Sequence, residues 1–249
     1  MSPLIFSPEF AIWNLGTMGI IDLIAATTNA FNGALLARRP DHYKHFTVIG
    51  IILLAFAGGI GGGVLRDVIV NVVPSPILNP WYFVACILAA GLALIIEYYS
   101  GQKFRAGLFT FMTAASLPWY AIVGAQTAVD HHIGYFAAIL IGVIATTGGR
   151  FIIDISCGLI PKQLVRGEFF VLTAVLTAVL YLILRYLFHF DVWPSTIVAA
   201  VFGFGFRLLS QFLGWEEWEP WEPADSKAGE KARHGLGEDI QAEFEGDRH

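Results

Sequence analysis

The chain has 249 residues, of which 56% are hydrophobic and 14% are charged, and its formal net charge is −5. A soluble domain of this length could not bury so much apolar surface, so the composition excludes that class and indicates an integral membrane protein. The two cysteines, Cys86 and Cys157, lie far apart in apolar segments, which argues against a disulfide framework.

Seven apolar runs approach the ~20 residues that are needed to cross the hydrocarbon core of a bilayer. The connections between them are short and contain Pro, Gly and charged residues, so no soluble domain fits between the spans. The N-terminal segment before the first run contains no Lys or Arg, so we expect the first span to insert without loss of a signal peptide. The spans are placed at residues 14–37, 46–71, 81–99, 106–129, 134–158, 168–187 and 194–213.

The first span carries three polar residues on one helical face. Asp22, Asn29 and Asn32 recur at intervals of seven and three residues, which brings them onto one stripe of an α-helix. Carboxylate and amide oxygens are ligands that can replace water around an alkali cation. The stripe therefore predicts a pore lining, and hydrogen bonding between helices is an equally good interpretation.

The second span contains a glycine cluster, which is followed by the charged pair Arg66-Asp67 and then by Pro74. Glycine weakens a helix, and a charge at membrane depth persists mainly beside water, a partner or an ion. We therefore expect this span to be kinked or broken at its glycines, with carbonyl groups exposed along a polar path. Close helix packing and a structural ion pair are the alternatives. The cluster comprises Gly58, Gly59, Gly61, Gly62 and Gly63.

The fifth span repeats this pattern with Gly148, Gly149, Arg150 and Asp154, and a proline follows at the same distance as in the second span. Arg150 stands where the first copy has its third glycine. An arginine beside a cation path repels cations unless it is paired. We expect Asp67 of the second span to be its partner.

The repeat extends beyond the glycines. An offset of 87 residues superposes the two clusters, and at a slightly different offset Gly33-Ala34 in the first span matches Gly124-Ala125 in the fourth. The repeated unit has three spans, which is an odd number, so its second copy must enter the membrane from the opposite side. The sequence thus predicts an all-α fold with an inverted 3+3 repeat and a seventh helix.

The charges of the loops predict the orientation. Basic residues are concentrated in the first, third and fifth loops, so the positive-inside rule puts the N-terminus outside and the C-terminus in the cytoplasm. We expect residues 1–213 to form the membrane domain and residues 214–249 to form an acidic, disordered cytoplasmic tail. The basic loop residues are Arg38, Arg39, Lys44, Lys103, Arg105, Lys162 and Arg166.

The Gly-Gly-Gly-x-x-Arg-Asp run, its second copy and the 3+3+1 arrangement resemble the prokaryotic branch of the trimeric intracellular cation (TRIC) channel family. The resemblance covers about residues 10 to 213. It implies a homotrimer in the bacterial inner membrane in which every subunit carries its own pore. The pore would conduct potassium and sodium through kinked second and fifth spans, among membrane lipids.

A secondary transporter of a small solute, such as an amino acid, is the alternative, because carriers also use inverted repeats with broken helices. An enzyme is not expected, because the sequence contains no nucleophile and base pair and no metal-ligand cluster. No cofactor, no structural metal and no nucleic-acid partner are expected either.

Overall fold

A computed structural model describes residues 16–37, 46–99, 102–161, 163–164, 167 and 169–217. These residues fold into an all-α bundle, as predicted. Six of its helices are long and apolar enough to cross a membrane, and α4 adds a shorter apolar stretch, Trp81–Ile96. The helices are α1 Thr17–Leu36, α2 Val48–Ile69, α3 Ser75–Leu78, α4 Trp81–Tyr99, α5 Gln102–Asp130, α6 Tyr135–Ser156, α7 Phe170–Leu182 and α8 Val192–Phe212.

Each predicted span corresponds to one of the seven longer helices. Two features were not predicted: the single-turn helix α3 in the second loop, and a π-helical turn at Ile183–Leu187 that continues α7. The basic residues of the first loop, Lys162 and Arg166 of the fifth loop, the side chains of Lys103 and Arg105, and residues 218–249 lie outside the described part of the structure. The predicted orientation and the predicted tail therefore stay predictions.

Two sets of three helices pack in the same way. Helices α1, α2 and α4 contact one another, as do α5, α6 and α7, and α8 packs on α5 and α7. A methyl group on Gly33 would overlap the carbonyl oxygen of Leu54, and one on Gly124 would lie 3.1 Å from the carbonyl oxygen of Ile141. Leu54 and Ile141 are 87 positions apart, so equivalent glycines allow the same close approach in both sets.

The C-terminal ends of α2 and α6 also match. Asn71 and Gly158, again 87 positions apart, adopt left-handed conformations with φ of 62° and 72°. In each case the next residue donates its backbone N–H to the carbonyl of the helix aspartate, Asp67 or Asp154, at 2.9 Å. This is the glycine or asparagine C-cap that ends many helices, and it fixes both aspartates in the last turn of their helices.

Helices α2 and α6 cross at their glycines through reciprocal contacts. A methyl group on Gly62 would overlap the carbonyl oxygen of Ala145, and a methyl group on Gly149 would lie 2.7 Å from the carbonyl oxygen of Gly58. Gly62 is equivalent to Gly149 and Gly58 to Ala145, each pair being 87 positions apart, so exchanging the two repeats turns one contact into the other. Residues later in α2 contact residues earlier in α6, so the two helices run antiparallel. Reciprocal contacts of this kind are what a two-fold axis produces.

The prediction that the second and fifth spans are broken at their glycines is wrong. Helix α2 is continuous from Val48 to Ile69, and α6 is continuous from Tyr135 to Ser156. The glycines lie at the crossing, where a side chain would force the helices apart, so they serve close packing and leave the helical hydrogen bonds in place. The weaker prediction, that these two helices bend at their glycines without a break, stays a prediction.

Candidate functional site: two polar cavities in the bundle

A buried ionic cluster joins α1 to α2. The guanidinium of Arg66 donates through Nη1 and Nη2 to the two carboxylate oxygens of Asp22, at 2.9 and 3.1 Å. Its Nε donates to Oδ1 of Asp67 at 2.7 Å. Asp22 is 4% exposed, and Arg66 and Asp67 are each 1% exposed. Such a forked pair is among the stronger polar interactions, and here it is removed from water.

Two further residues complete the cluster. The hydroxyl of Tyr82 on α4 donates to Oδ2 of Asp22 at 2.9 Å. Ser75, the first residue of α3, donates its backbone N–H and its hydroxyl to Oδ2 of Asp67, at 2.8 and 3.0 Å. Each carboxylate oxygen therefore has a donor, which offsets part of the cost of burying two carboxylates beside one guanidinium. With all three groups ionised, the formal charge is −1.

The cluster lines a cavity of about 410 Å³, which we name the Asp22 cavity. Asp22, Arg66, Asp67, Tyr82 and Thr127 contribute to its wall. All three guanidinium nitrogens of Arg66 already donate to carboxylates. Because two carboxylates face one guanidinium, the cavity presents a net negative charge, which disfavours an anion.

A second, smaller cavity lies between α1, α2, α5 and α6, and we name it the Asn32 cavity. It has a volume of about 40 Å³, which is enough for a few water-sized groups. Asn29, Asn32, Ser116, Thr146 and Arg150 contribute to its wall. Nδ2 of Asn32 donates to the hydroxyl of Ser116 at 3.2 Å. Among the described residues, Oδ1 of Asn32 and Nη2 of Arg150 have no hydrogen-bond partner, so the cavity offers one unpaired acceptor and one unpaired donor.

The predicted pairing of Asp67 with Arg150 is wrong. Nε of Arg150 donates to Oδ1 of Asp154 at 2.7 Å, one helical turn away, while Asp67 is held by Arg66. The reason lies in the antiparallel crossing of α2 and α6. This crossing leaves Asp67 and Arg150 on opposite sides of the glycine contact. Each charge is therefore neutralised by a residue of its own helix, Asp67 by Arg66 and Arg150 by Asp154.

The structure divides the predicted site residues into three groups. Asp22, Arg66 and Asp67 line the Asp22 cavity, and Asn29, Asn32 and Arg150 line the Asn32 cavity. Gly58 of the predicted glycine cluster lines the Asn32 cavity, and Asp154 pairs with Arg150. The predicted site glycines that line neither cavity are Gly61, Gly62, Gly63, Gly148 and Gly149.

Sequence reasoning missed several polar partners, namely Ser75, Tyr82, Ser116 and Thr146. A signal was present for one of them, because Thr113, Ser116 and Thr127 follow a helical stripe along the fourth span. Ser75 and Tyr82 lie in or near the second loop, where only the three-dimensional path of α3 brings them to the two aspartates.

A family model described as Glycine transporter matches residues 19–98 and 110–186, which together make up more than half of the chain. The first match covers α1 to α4 and the second covers most of α5 to α7, so the family model confirms that the chain contains two copies of one unit. A curated relative, a UPF0126 membrane protein from Deinococcus radiodurans, is 26% identical over 151 residues. That alignment covers 59% of this chain and 66% of the relative, so the chain spans just under two thirds of the relative's length.

Solved structures share the fold. The TRIC trimeric intracellular cation channel orthologue from Rhodobacter sphaeroides is 26% identical, with a TM-score of 0.66 over 79% of this chain and 96% of that chain. A prokaryotic TRIC channel crystallised in 0.5 M KCl is 22% identical, with a TM-score of 0.69 over 80% and 97% of the two chains. These matches confirm the resemblance to TRIC channels and the multi-pass membrane fold. The family model is named for a transporter and the solved structures for channels, in agreement with the expectation that the chain is not an enzyme.

Proposed function

Because the chain belongs to the family described as Glycine transporter and shares its fold with TRIC cation channels, we propose that it is a passive channel for monovalent cations, mainly potassium and sodium. The observation that carries this proposal is the pair of polar cavities, one bordered by Gly58 at the crossing of α2 and α6 and the other by Arg66 and Asp67 near the C-terminal end of α2. Both cavities border the same face of α1, through Asp22 in one and Asn29 and Asn32 in the other. Together they outline a path through a single subunit.

The charges along this path favour cations. The Asp22 cavity carries a formal charge of −1 on groups that are almost fully buried, where a charge acts more strongly than in water. In the Asn32 cavity the charge of Arg150 is balanced by Asp154, and the remaining wall offers amide and hydroxyl oxygens. Oxygen ligands of moderate strength at several points allow a cation both to enter and to leave.

We extend the proposal to the arrangement in the membrane. The two repeats insert in opposite directions about a two-fold axis in the membrane plane, and the reciprocal antiparallel crossing of α2 and α6 supports this arrangement. The N-terminus lies outside and the acidic tail of residues 214–249 lies in the cytoplasm, so the Asp22 cavity faces outwards. Three such subunits assemble in the bacterial inner membrane, each with its own path, and the word trimeric in the name of one related structure supports the number of subunits.

The orientation can be tested with two equivalent positions. Val73 and Ile160 are 87 residues apart, follow α2 and α6, and are 58% and 71% exposed. In a background without Cys86 and Cys157, Val73→Cys is expected to react with a membrane-impermeant maleimide in intact cells, and Ile160→Cys only after permeabilisation. Reaction of both cysteines from the same side would mean that the repeats are parallel and would overturn the inverted arrangement.

A glycine carrier is the second candidate, and two observations favour it. The family is described as Glycine transporter, and the Asn32 cavity is lined by Asn32 and Arg150, whose Oδ1 and Nη2 have no hydrogen-bond partner in the described part of the chain. Those two atoms complement the ammonium and the carboxylate of a small zwitterion. The cavity of about 40 Å³ would admit only the smallest amino acid.

Electrical recording separates the two candidates. Purified protein in planar bilayers with symmetric KCl is expected to give unitary current steps, because a channel passes many ions for each opening. In a KCl gradient the reversal potential should move towards the equilibrium potential of potassium. Saturable glycine uptake into proteoliposomes, without current steps, would instead establish the carrier and refute the channel.

A further inference from the structure

A short dry segment separates the two cavities, and α5 marks its position. Thr113 and Ser116 on this helix line the Asn32 cavity, and Val123 and Thr127 line the Asp22 cavity. Tyr120 lies between these pairs on the same helical stripe, lines neither cavity and is 1% exposed.

The other helices contribute only small residues to this segment. On α1, Ala25 and Ala26 separate the residues of the two cavities, and both are at most 1% exposed. Ala145 is the contribution of α6. On α2, Gly59, Gly62 and Gly63 occupy the equivalent stretch. Trp119, next to Tyr120 on α5, packs against the same cluster but is only partly buried, so Tyr120 is the large side chain that is buried within the segment.

Tyr120 connects groups from both sides of the segment. Its ring packs against Ala25 and Ala145, and its hydroxyl donates to the carbonyl oxygen of Gly59, next to the wall of the Asn32 cavity. A methyl group on Gly63 would lie 3.8 Å from Cε1 of Tyr120 and 3.9 Å from Nη2 of Arg66. Gly63 thus has the ring of Tyr120 and the guanidinium of Arg66 as its neighbours, while the hydroxyl of Tyr120 holds the backbone of α2.

We propose that Tyr120 is the gate of the path, an inference that rests on the proposed channel function. In the structure, Tyr120 packs against Ala25 of α1, in the stretch between Asp22 and Asn29. Asp22 and Asn29 are about 10 Å apart along the axis of α1 at 1.5 Å per residue. Pro118, two residues before Tyr120, has no N–H to donate to the carbonyl of Ala114, so α5 can bend at this point. When the ring leaves this stretch, the two cavities join into one path lined by glycine and alanine.

Removal of the ring tests the gate. Tyr120→Ala is expected to raise the open probability in planar bilayers at least tenfold. The matched control is Tyr181→Ala, because Tyr181 is fully buried, hydrogen-bonds to Gln126 and lies away from both cavities. That variant should lose stability without a change in open probability. Equal open probabilities in wild type, Tyr120→Ala and Tyr181→Ala would overturn the gate.

A second measurement does not depend on ion conduction. In the background without Cys86 and Cys157, Thr113→Cys places a thiol in the Asn32 cavity, and a small cationic methanethiosulfonate is applied from the outside. Modification is expected to be at least tenfold faster when Tyr120→Ala is added, and unchanged rates would refute the gate. If wild type gives no current but the rates differ, the channel proposal fails while Tyr120 remains the barrier between the cavities.

Discussion

Arg66→Met is expected to destabilise the protein by about 3–5 kcal/mol, which is the usual cost of removing one partner from a buried ion pair. The substitution keeps much of the volume of the side chain but leaves Asp22 and Asp67 without a counter-charge. These carboxylates are 4% and 1% exposed, and water that reaches them through the Asp22 cavity cannot supply the charge that the guanidinium gave. Thermal unfolding of the purified protein in detergent, together with the yield of folded protein, measures the effect.

Two controls separate burial of charge from any general effect of losing an arginine. Arg185→Met removes an arginine that donates to the carbonyl of Phe190 in an exposed contact, and it should change stability by less than about 1 kcal/mol. Asp22→Asn with Asp67→Asn, added to Arg66→Met, removes all three charges and should restore most of the lost stability. Wild-type stability of Arg66→Met alone would contradict the buried ionic cluster.

The same triple variant distinguishes a structural ion pair from a pore lining. If Asp22 and Asp67 attract cations, the restored protein should conduct at least tenfold less than wild type at low ionic strength, where charges are least screened. If the cluster serves stability alone, the triple variant should conduct like wild type. Conductance per folded channel is the quantity to compare.

Much of the fold could be predicted because the membrane makes strong demands on the sequence. The apolar length of each span predicted seven helices, and the offset of 87 residues between the two glycine clusters predicted that six of them form two copies of a three-helix unit. The face shared by Asp22, Asn29 and Asn32 was also correct as a stripe, although the three residues divide between two cavities. Periodicity shows which residues share a face, but not what lies opposite that face.

The pairing of the charges could not be predicted for this reason. Whether Arg66 reaches Asp22 depends on how α1 packs on α2, and whether Arg150 reaches Asp67 depends on how α2 crosses α6. Tyr120 was missed because an aromatic residue in an apolar span is usually part of the core. Only the small residues around it, contributed by three other helices, distinguish it from a core residue.

The predicted role of the glycines changes most, from breaking a helix to allowing two helices to pack closely. The variant Gly62→Ala tests the packing role. A helix that needs its glycines in order to break would gain ~1 kcal/mol of helix propensity from alanine. Instead, the added methyl group would overlap the carbonyl oxygen of Ala145, a backbone atom that can move only if α6 moves. We expect a net loss of about 1–3 kcal/mol, the usual cost of overpacking, in thermal unfolding of the purified protein. Gly63→Ala is the matched control, because its methyl group would meet nothing closer than 3.8 Å.

The equivalent variant in the second repeat, Gly149→Ala, gives a further test of close packing. In Gly149→Ala the methyl group would lie 2.7 Å from the carbonyl oxygen of Gly58, so we expect a similar loss. Both methyl groups push α2 and α6 apart at the same crossing, so the second costs less once the first has separated the helices. The double variant should therefore lose less stability than the two single losses combined. Additive losses would show that the two contacts are independent, and a stable Gly62→Ala with reduced conductance would return these glycines to the role of breaking the helix.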